Sequence, residues 1–156
     1  MKKLTLILAM LAAISLSTLS QAREVTFTTQ LKNYSGDGAY IVLYLVNENG
    51  QYQRTFWLAG TKSKYYKHLP DWARGSGLRS SEYDGVTGAS VLSGKTLKVT
   101  VDIDDALIDA GYEVRVDTSV EDKRDNRADV SAPLTTDGAG KSFAGRGYVQ
   151  SFSYGF

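Results

Sequence analysis

Cysteine is absent from the 156 residues, and histidine occurs once, at His68. Without a thiol the chain has no disulfide, no lipid-modified Cys, no Cys-x-x-Cys-His haem attachment and no iron-sulfur ligation. A single imidazole also excludes a metal centre built on several histidines. An excess of charge of either sign is missing too, since 18 basic residues face 17 acidic ones. That balance argues against a nucleic-acid or membrane-surface partner, which would need a basic excess. If the chain carries electrons, an organic cofactor has to do it.

The first 22 residues read as a secretory signal. Lys2 and Lys3 precede an apolar run from Leu4 to about Leu16, and Ser20-Gln21-Ala22 puts small residues at the minus-three and minus-one positions of a cleavage site. The apolar run is too short for a comfortable membrane span, so no stable membrane anchor is expected. Cleavage after Ala22 leaves one periplasmic domain, residues 23–156. It also removes Lys2 and Lys3, so the formal charge goes from +1 to −1.

The mature chain reads mostly as strands. In Glu24 to Leu31, Val25, Phe27, Thr29 and Leu31 alternate with polar residues, as in a half-buried strand, here expected as an edge or outer strand. Ala39 to Val46 is continuously apolar over eight positions and reads as a central strand. Asn47-Glu48-Asn49-Gly50 signals a hairpin whose return strand is Gln51 to Leu58. From Thr61 to Arg74, Tyr65, Leu69 and Trp72 recur at helical spacing, with Pro70 set to stop or restart the helix. Lys95 to Ile103 and Tyr112 to Val120 alternate cleanly and are expected near the centre of the sheets. Glu121 to Asp129 is dense in charge and reads as a solvated hairpin tip. Val130 to Leu134 and a terminal strand sharing Tyr148, Phe152, Tyr154 and Phe156 on one face complete the chain. Seven or eight strands with one short helix predict an all-β fold with minor α content, an immunoglobulin-like antiparallel β-sandwich carrying a long loop from Gly75 to Ser93.

That loop holds the stretch richest in chemical meaning, Asp84-Gly85-Val86-Thr87-Gly88-Ala89-Ser90. Gly85, Gly88 and Ala89 leave the backbone nearly bare, so the Ser90 hydroxyl can be offered to something large. An Asp-Gly followed by Thr-Gly is also a good surface turn. The segment resembles the acceptor motif of the periplasmic FMN transferase, in which the last hydroxyl is joined to FMN through a phosphoester. Asp84, Gly85, Val86, Thr87, Gly88 and Ala89 fill the leading positions and Ser90 is the acceptor, where Thr is commoner. Trp57, Trp72 and Tyr83 are the candidates to stack on a flavin ring, with core packing as their other role.

Nearly all of the mature chain resembles the family of predicted periplasmic proteins called DUF2271. The resemblance is carried by Tyr40-Ile41-Val42, by Phe56 and Trp57, by Tyr65-Tyr66-Lys67-His68-Leu69 leading to Trp72, by the Asp84 to Ser90 motif and by Gly111-Tyr112. It implies covalent FMN and extracytoplasmic electron transfer with a PepSY-type membrane redox protein as partner, more an electron carrier than an enzyme with its own substrate. The alternative is a cofactor-free periplasmic binding or accessory domain.

No other constellation carries chemistry, so no catalytic and no metal-ligating residue is assigned. Asp102, Asp104, Asp105 and Asp109 lack the spacing of a calcium loop and read as a solvated turn. One His serving Ser90 or Ser93 without a nucleophile-elbow pattern gives no Ser-His-Asp arrangement. His68 reads as an exposed or cap-like side chain near a helix end.

Overall fold

A computed structural model describes residues 20–156 of the chain. The apolar run of the signal lies outside the described residues. Nine strands form two sheets: β1 (Ala22–Leu31), β5 (Thr96–Asp104), β8 (Phe143–Ala144) and β9 (Val149–Gly155) in the order β5-β1-β9-β8, and β2 (Tyr40–Val46), β3 (Tyr52–Ala59), β4 (Thr87–Gly88), β6 (Glu113–Ser119) and β7 (Asp125–Pro133) in the order β4-β3-β2-β6-β7. The sheets face each other over Phe27, Leu31, Ile41, Leu43, Phe56, Ile103, Val114, Val116 and Phe152. The order is that of an immunoglobulin-like sandwich, with β1 and β5 as its B and E strands and β3, β2, β6 and β7 as C′, C, F and G. The terminal strand β9 lies antiparallel to β1, where strand A would stand.

The continuous apolar run of β2 has a two-sided cause. Ile41, Leu43 and Leu45 enter the core between the sheets, whereas Val42, Tyr44 and Val46 form a second cluster with Leu58, Tyr66, Leu69 and Trp72 on the outer face. That outer face is covered by a 3-10 turn (Ser63–His68) and by α1 (Pro70–Ser76). Pro70 sits in the first turn of α1, where its missing N–H costs nothing, so the proline restarts the helical pattern.

Two carboxylates are buried in the five-stranded sheet, and the first of them ties this layer down. Asp117, on β6, accepts from the Tyr44 hydroxyl (2.8 Å), from Asp71 N and Trp72 N at the start of α1 (2.9 Å each) and from Ala128 N (2.8 Å). Desolvation pushes its carboxyl above the usual range, against the pull of those donors. Asp129, on β7, accepts five bonds: Thr118 Oγ1 (2.7 Å), Arg146 N (2.9 Å), Gly147 N (2.7 Å), Tyr148 N (2.8 Å) and Val149 N (3.2 Å).

Several expectations are corrected. β1 is not an edge strand, because the chain terminus returns as β9 to its far side. Conversely β5 is the edge of its sheet, although β6 is internal as its alternation suggested. The charged stretch from Glu121 is a solvated tip only as far as Arg124, after which β7 begins and buries Asp129. The Gly75 to Ser93 loop contains the end of α1, a 3-10 turn (Ser80–Glu82) and the edge strand β4, which runs parallel to β3. Phe156 is left exposed beyond β9 rather than sharing its buried face.

These positions set a graded test. Val114 is fully buried on an internal strand, so Val114→Asp should unfold the domain, an unpaired buried charge costing several kcal/mol against a total of about 5–15 kcal/mol. Val101 is only half-buried on the edge strand, so Val101→Asp should lower the melting temperature and leave a folded protein. Equal losses in the two variants, read by thermal melting, would count against this burial pattern.

Candidate functional site: Ser90 and its groove

The Asp84 to Ser90 segment is laid along the edge of the five-stranded sheet by β4. Leu58 N donates to Val86 O (2.9 Å) and Gly60 N to Gly88 O (2.7 Å), and beyond Ser90 a bridge joins Val91 to Ala39. Ser90 is thereby fixed between two anchored points while remaining exposed. The other motif residues have local reasons for their identity. Gly85 adopts φ +82°, a left-handed conformation that suits glycine. Thr87 Oγ1 donates to Tyr83 O (2.8 Å) and fastens the turn. At Gly88 a Cβ would lie 2.5 Å from Trp57 Cζ2, so only glycine lets the strand lie on that indole. Asp84 and Ala89 are exposed.

Across from Ser90 the chain passes through Gly38. A Cβ there would lie 2.7 Å from Ser90 Oγ, so the close approach of the hydroxyl depends on glycine at position 38. Two residues earlier Lys123 lies over Gly36 in the same way, its Cε 2.7 Å from where a Cβ would be. The Gly36 to Gly38 strip therefore carries a hydroxyl at one end and a lysine stem at the other.

Ser90 opens onto a groove of about 480 Å³, whose walls include Lys62, Lys123, Tyr40, Tyr65 and His68. Tyr40 and Tyr65 meet edge to face, with ring centres 5.5 Å apart. Tyr40 Oη accepts from Lys62 N (3.1 Å), and Tyr65 Oη donates to Glu121, a bond that raises the Tyr65 pKa. His68, the last residue of its 3-10 turn, places Nδ1 2.9 Å from Asp125 Oδ2, and Asp125 Oδ1 accepts from Ser119 Oγ (2.7 Å).

The three aromatic side chains expected to stack on a flavin are not in this groove's lining. Trp72 is fully buried, with Nε1 donating to Thr55 Oγ1 and its ring packed by Tyr66 at 5.9 Å and Tyr83 at 6.1 Å. Tyr83 packs into the same cluster, 5.0 Å from Tyr66. Trp57 lies under Gly88, against the core between the sheets. Sequence reasoning found the hydroxyl but missed Gly38, Tyr40, Tyr65, Lys62 and Lys123 as its neighbours. No local pattern marks them, because they come from three separate segments that only the sandwich brings together.

The acidic residues near β5 stay apart. Asp104 caps its own turn through Ala106 N (2.9 Å), Asp105 pairs with Arg23 (3.0 Å), and Asp109 accepts from Thr136 N (2.8 Å).

A nucleophilic oxygen with few neighbours, an ammonium on the same wall and half-buried aromatic rings beside it suit an aromatic group held through a phosphodiester. The residues present therefore fit FMN. Among the described residues no helix is long and apolar enough to cross a membrane. No curated protein and no solved structure matches the chain. Residues 22–151 match the family model described as a predicted periplasmic protein, DUF2271, and the chain belongs to that family.

Proposed function

We propose that this protein is a periplasmic electron carrier holding FMN covalently on Ser90, loaded by an FMN transferase and serving a membrane redox partner of the PepSY type. The observation that carries the reading is the placement of Ser90: the last position of a complete acceptor motif is an exposed hydroxyl opening directly onto a groove of about 480 Å³. Attachment requires Ser90 Oγ to attack the flavin-side phosphorus of an activated, phosphoanhydride form of FMN. A new O–P bond forms, the anhydride P–O bond breaks with the leaving nucleotide, and the hydroxyl proton passes to a base. When bound, FMN supplies the electron-accepting chemistry, and the protein supplies its position and surroundings. Exposed Asp84 is left to be read by the transferase.

Co-expression with an active FMN transferase tests the reading. The exported protein should begin at Arg23, lie in the periplasm and carry the mass of one FMN less one water on Ser90. An apo mass alone, with no flavin fluorescence from denatured protein, would replace this reading with that of a cofactor-free binding domain.

A further inference from the structure

We infer that the groove beside Ser90 is the seat of the flavin ring, with Tyr40 and Tyr65 as its aromatic wall and Lys123 beside the phosphodiester. The inference deepens the Ser90 reading and rests on it for the tether.

Reach comes first. A compact groove of about 480 Å³ is on the order of 10 Å across. A pentitol phosphate chain spans a comparable distance, so a ring tethered at Ser90 arrives at the tyrosines lining the same groove.

The wall is preorganised. Tyr40 and Tyr65 hold each other edge to face, and both hydroxyls are engaged, by Lys62 N and by Glu121. Gly60 packs against the Tyr40 ring so closely that a Cβ there would lie 2.4 Å from it, and Lys64 Nζ lies 4.8 Å from the Tyr65 ring centre. Rings already fixed in this way lose little conformational entropy when a planar ligand settles on them. By contrast Trp72 and Tyr83 are committed to the cluster under α1, and Trp57 is committed to Gly88.

The charges are arranged along the groove. Lys123 and Ser90 lie at the two ends of the Gly36 to Gly38 strip and line the same groove, so an ammonium stands on the wall that a phosphodiester at Ser90 would share. Of the four carboxylates in the lining, Glu121 bonds Tyr65 and Asp125 bonds His68 and Ser119, while Asp37 and Asp122 share the lining with Lys62 and Lys123.

Native flavin fluorescence, compared with that of the same sample after denaturation, reads the seat, while intact mass reads the attachment. At matched flavin occupancy, wild-type protein should be quenched several-fold by contact with the tyrosines, Tyr65→Leu should regain most of the emission, and Trp57→Phe should stay quenched. Native emission as bright as that of denatured protein, or recovery in Trp57→Phe but not in Tyr65→Leu, overturns the seat. Should the mass show apo protein only, the attachment reading falls and free FMN decides the seat. Titrated into the apoprotein, free FMN should then be quenched saturably, and at least several-fold more weakly with Tyr65→Leu. A response with no saturation, or one unchanged in Tyr65→Leu, overturns it in that case.

Discussion

Replacing Asp129 by Ala should cost roughly 3 kcal/mol or more, because it strands buried donors that have no water to turn to. The carboxylate is almost inaccessible and accepts from one hydroxyl and four consecutive backbone N–H groups, Arg146 to Val149. Those amides lead directly into β9, the strand that makes β1 internal. Losing the carboxylate therefore loosens the entry to the strand that closes the four-stranded sheet. For a domain of this size each kcal/mol moves the melting temperature by about 3–5 °C, so Asp129→Ala should melt on the order of 10 °C lower. Asp129→Asn, which keeps one acceptor oxygen, should fall between Ala and wild type. Asp137→Ala removes an ion pair to Lys141 from a side chain that is 90% exposed and should change stability by about 0.5 kcal/mol or less. Thermal melts in which Asp129→Ala and Asp137→Ala coincide would show that the cluster of donors does not hold this end of the sandwich together.

Asp129 also illustrates what the sequence hides. It lies at the end of a run of charges, and charge density alone pointed to solvent. Its burial is decided by a loop some twenty residues further on, which supplies donors in a row. Strand existence was legible wherever alternation or an apolar run was strong, as in β1, β2, β5 and β6. Strand order was not, because neighbours depend on pairing across the chain. β1 and β5 carry equally good alternation, and only the return of β9 makes one internal and leaves the other at an edge. The apolar run of β2 was read correctly as central, and its cause is visible only in the structure: one face meets the second sheet while the other meets Leu69 and Trp72.

The site was legible in one part only. A carboxylate, bare glycines and a terminal hydroxyl stand next to one another, so the Asp84 to Ser90 segment announces itself. The choice of aromatic partners went by proximity in sequence, which favoured Tyr83, one residue before the motif. In the fold Tyr83 turns its ring into the cluster under α1, while Tyr40 and Tyr65, both distant in sequence, line the groove that Ser90 faces.

Ser90→Ala, expressed with the FMN transferase, should lose all covalent flavin and keep its melting temperature, because Ser90 is exposed and its neighbours Gly88 and Val91 hold the segment through backbone bonds alone. Ser90→Thr should retain the flavin, since the hydroxyl stays. Gly38→Ala is the sharper variant, because it leaves every residue of the motif unchanged. Its backbone is not in the left-handed region, so alanine is conformationally tolerated, yet the new Cβ would stand 2.7 Å from Ser90 Oγ. The hydroxyl must then turn away from the Gly36 to Gly38 strip, so attachment should fall several-fold while the fold persists. Gly140→Ala makes the comparison, a substitution that meets nothing within 4 Å, strains a left-handed turn and lies far along the chain from the motif. It should cost stability of about 1 kcal/mol and leave the flavin content unchanged. Intact mass gives the flavin occupancy of each variant, and thermal melting reports its folding. If Gly38→Ala is loaded as fully as wild type, Ser90 is not modified in the position it holds against Gly38, and the transferase must draw the motif off the edge of the sheet before the phosphodiester forms.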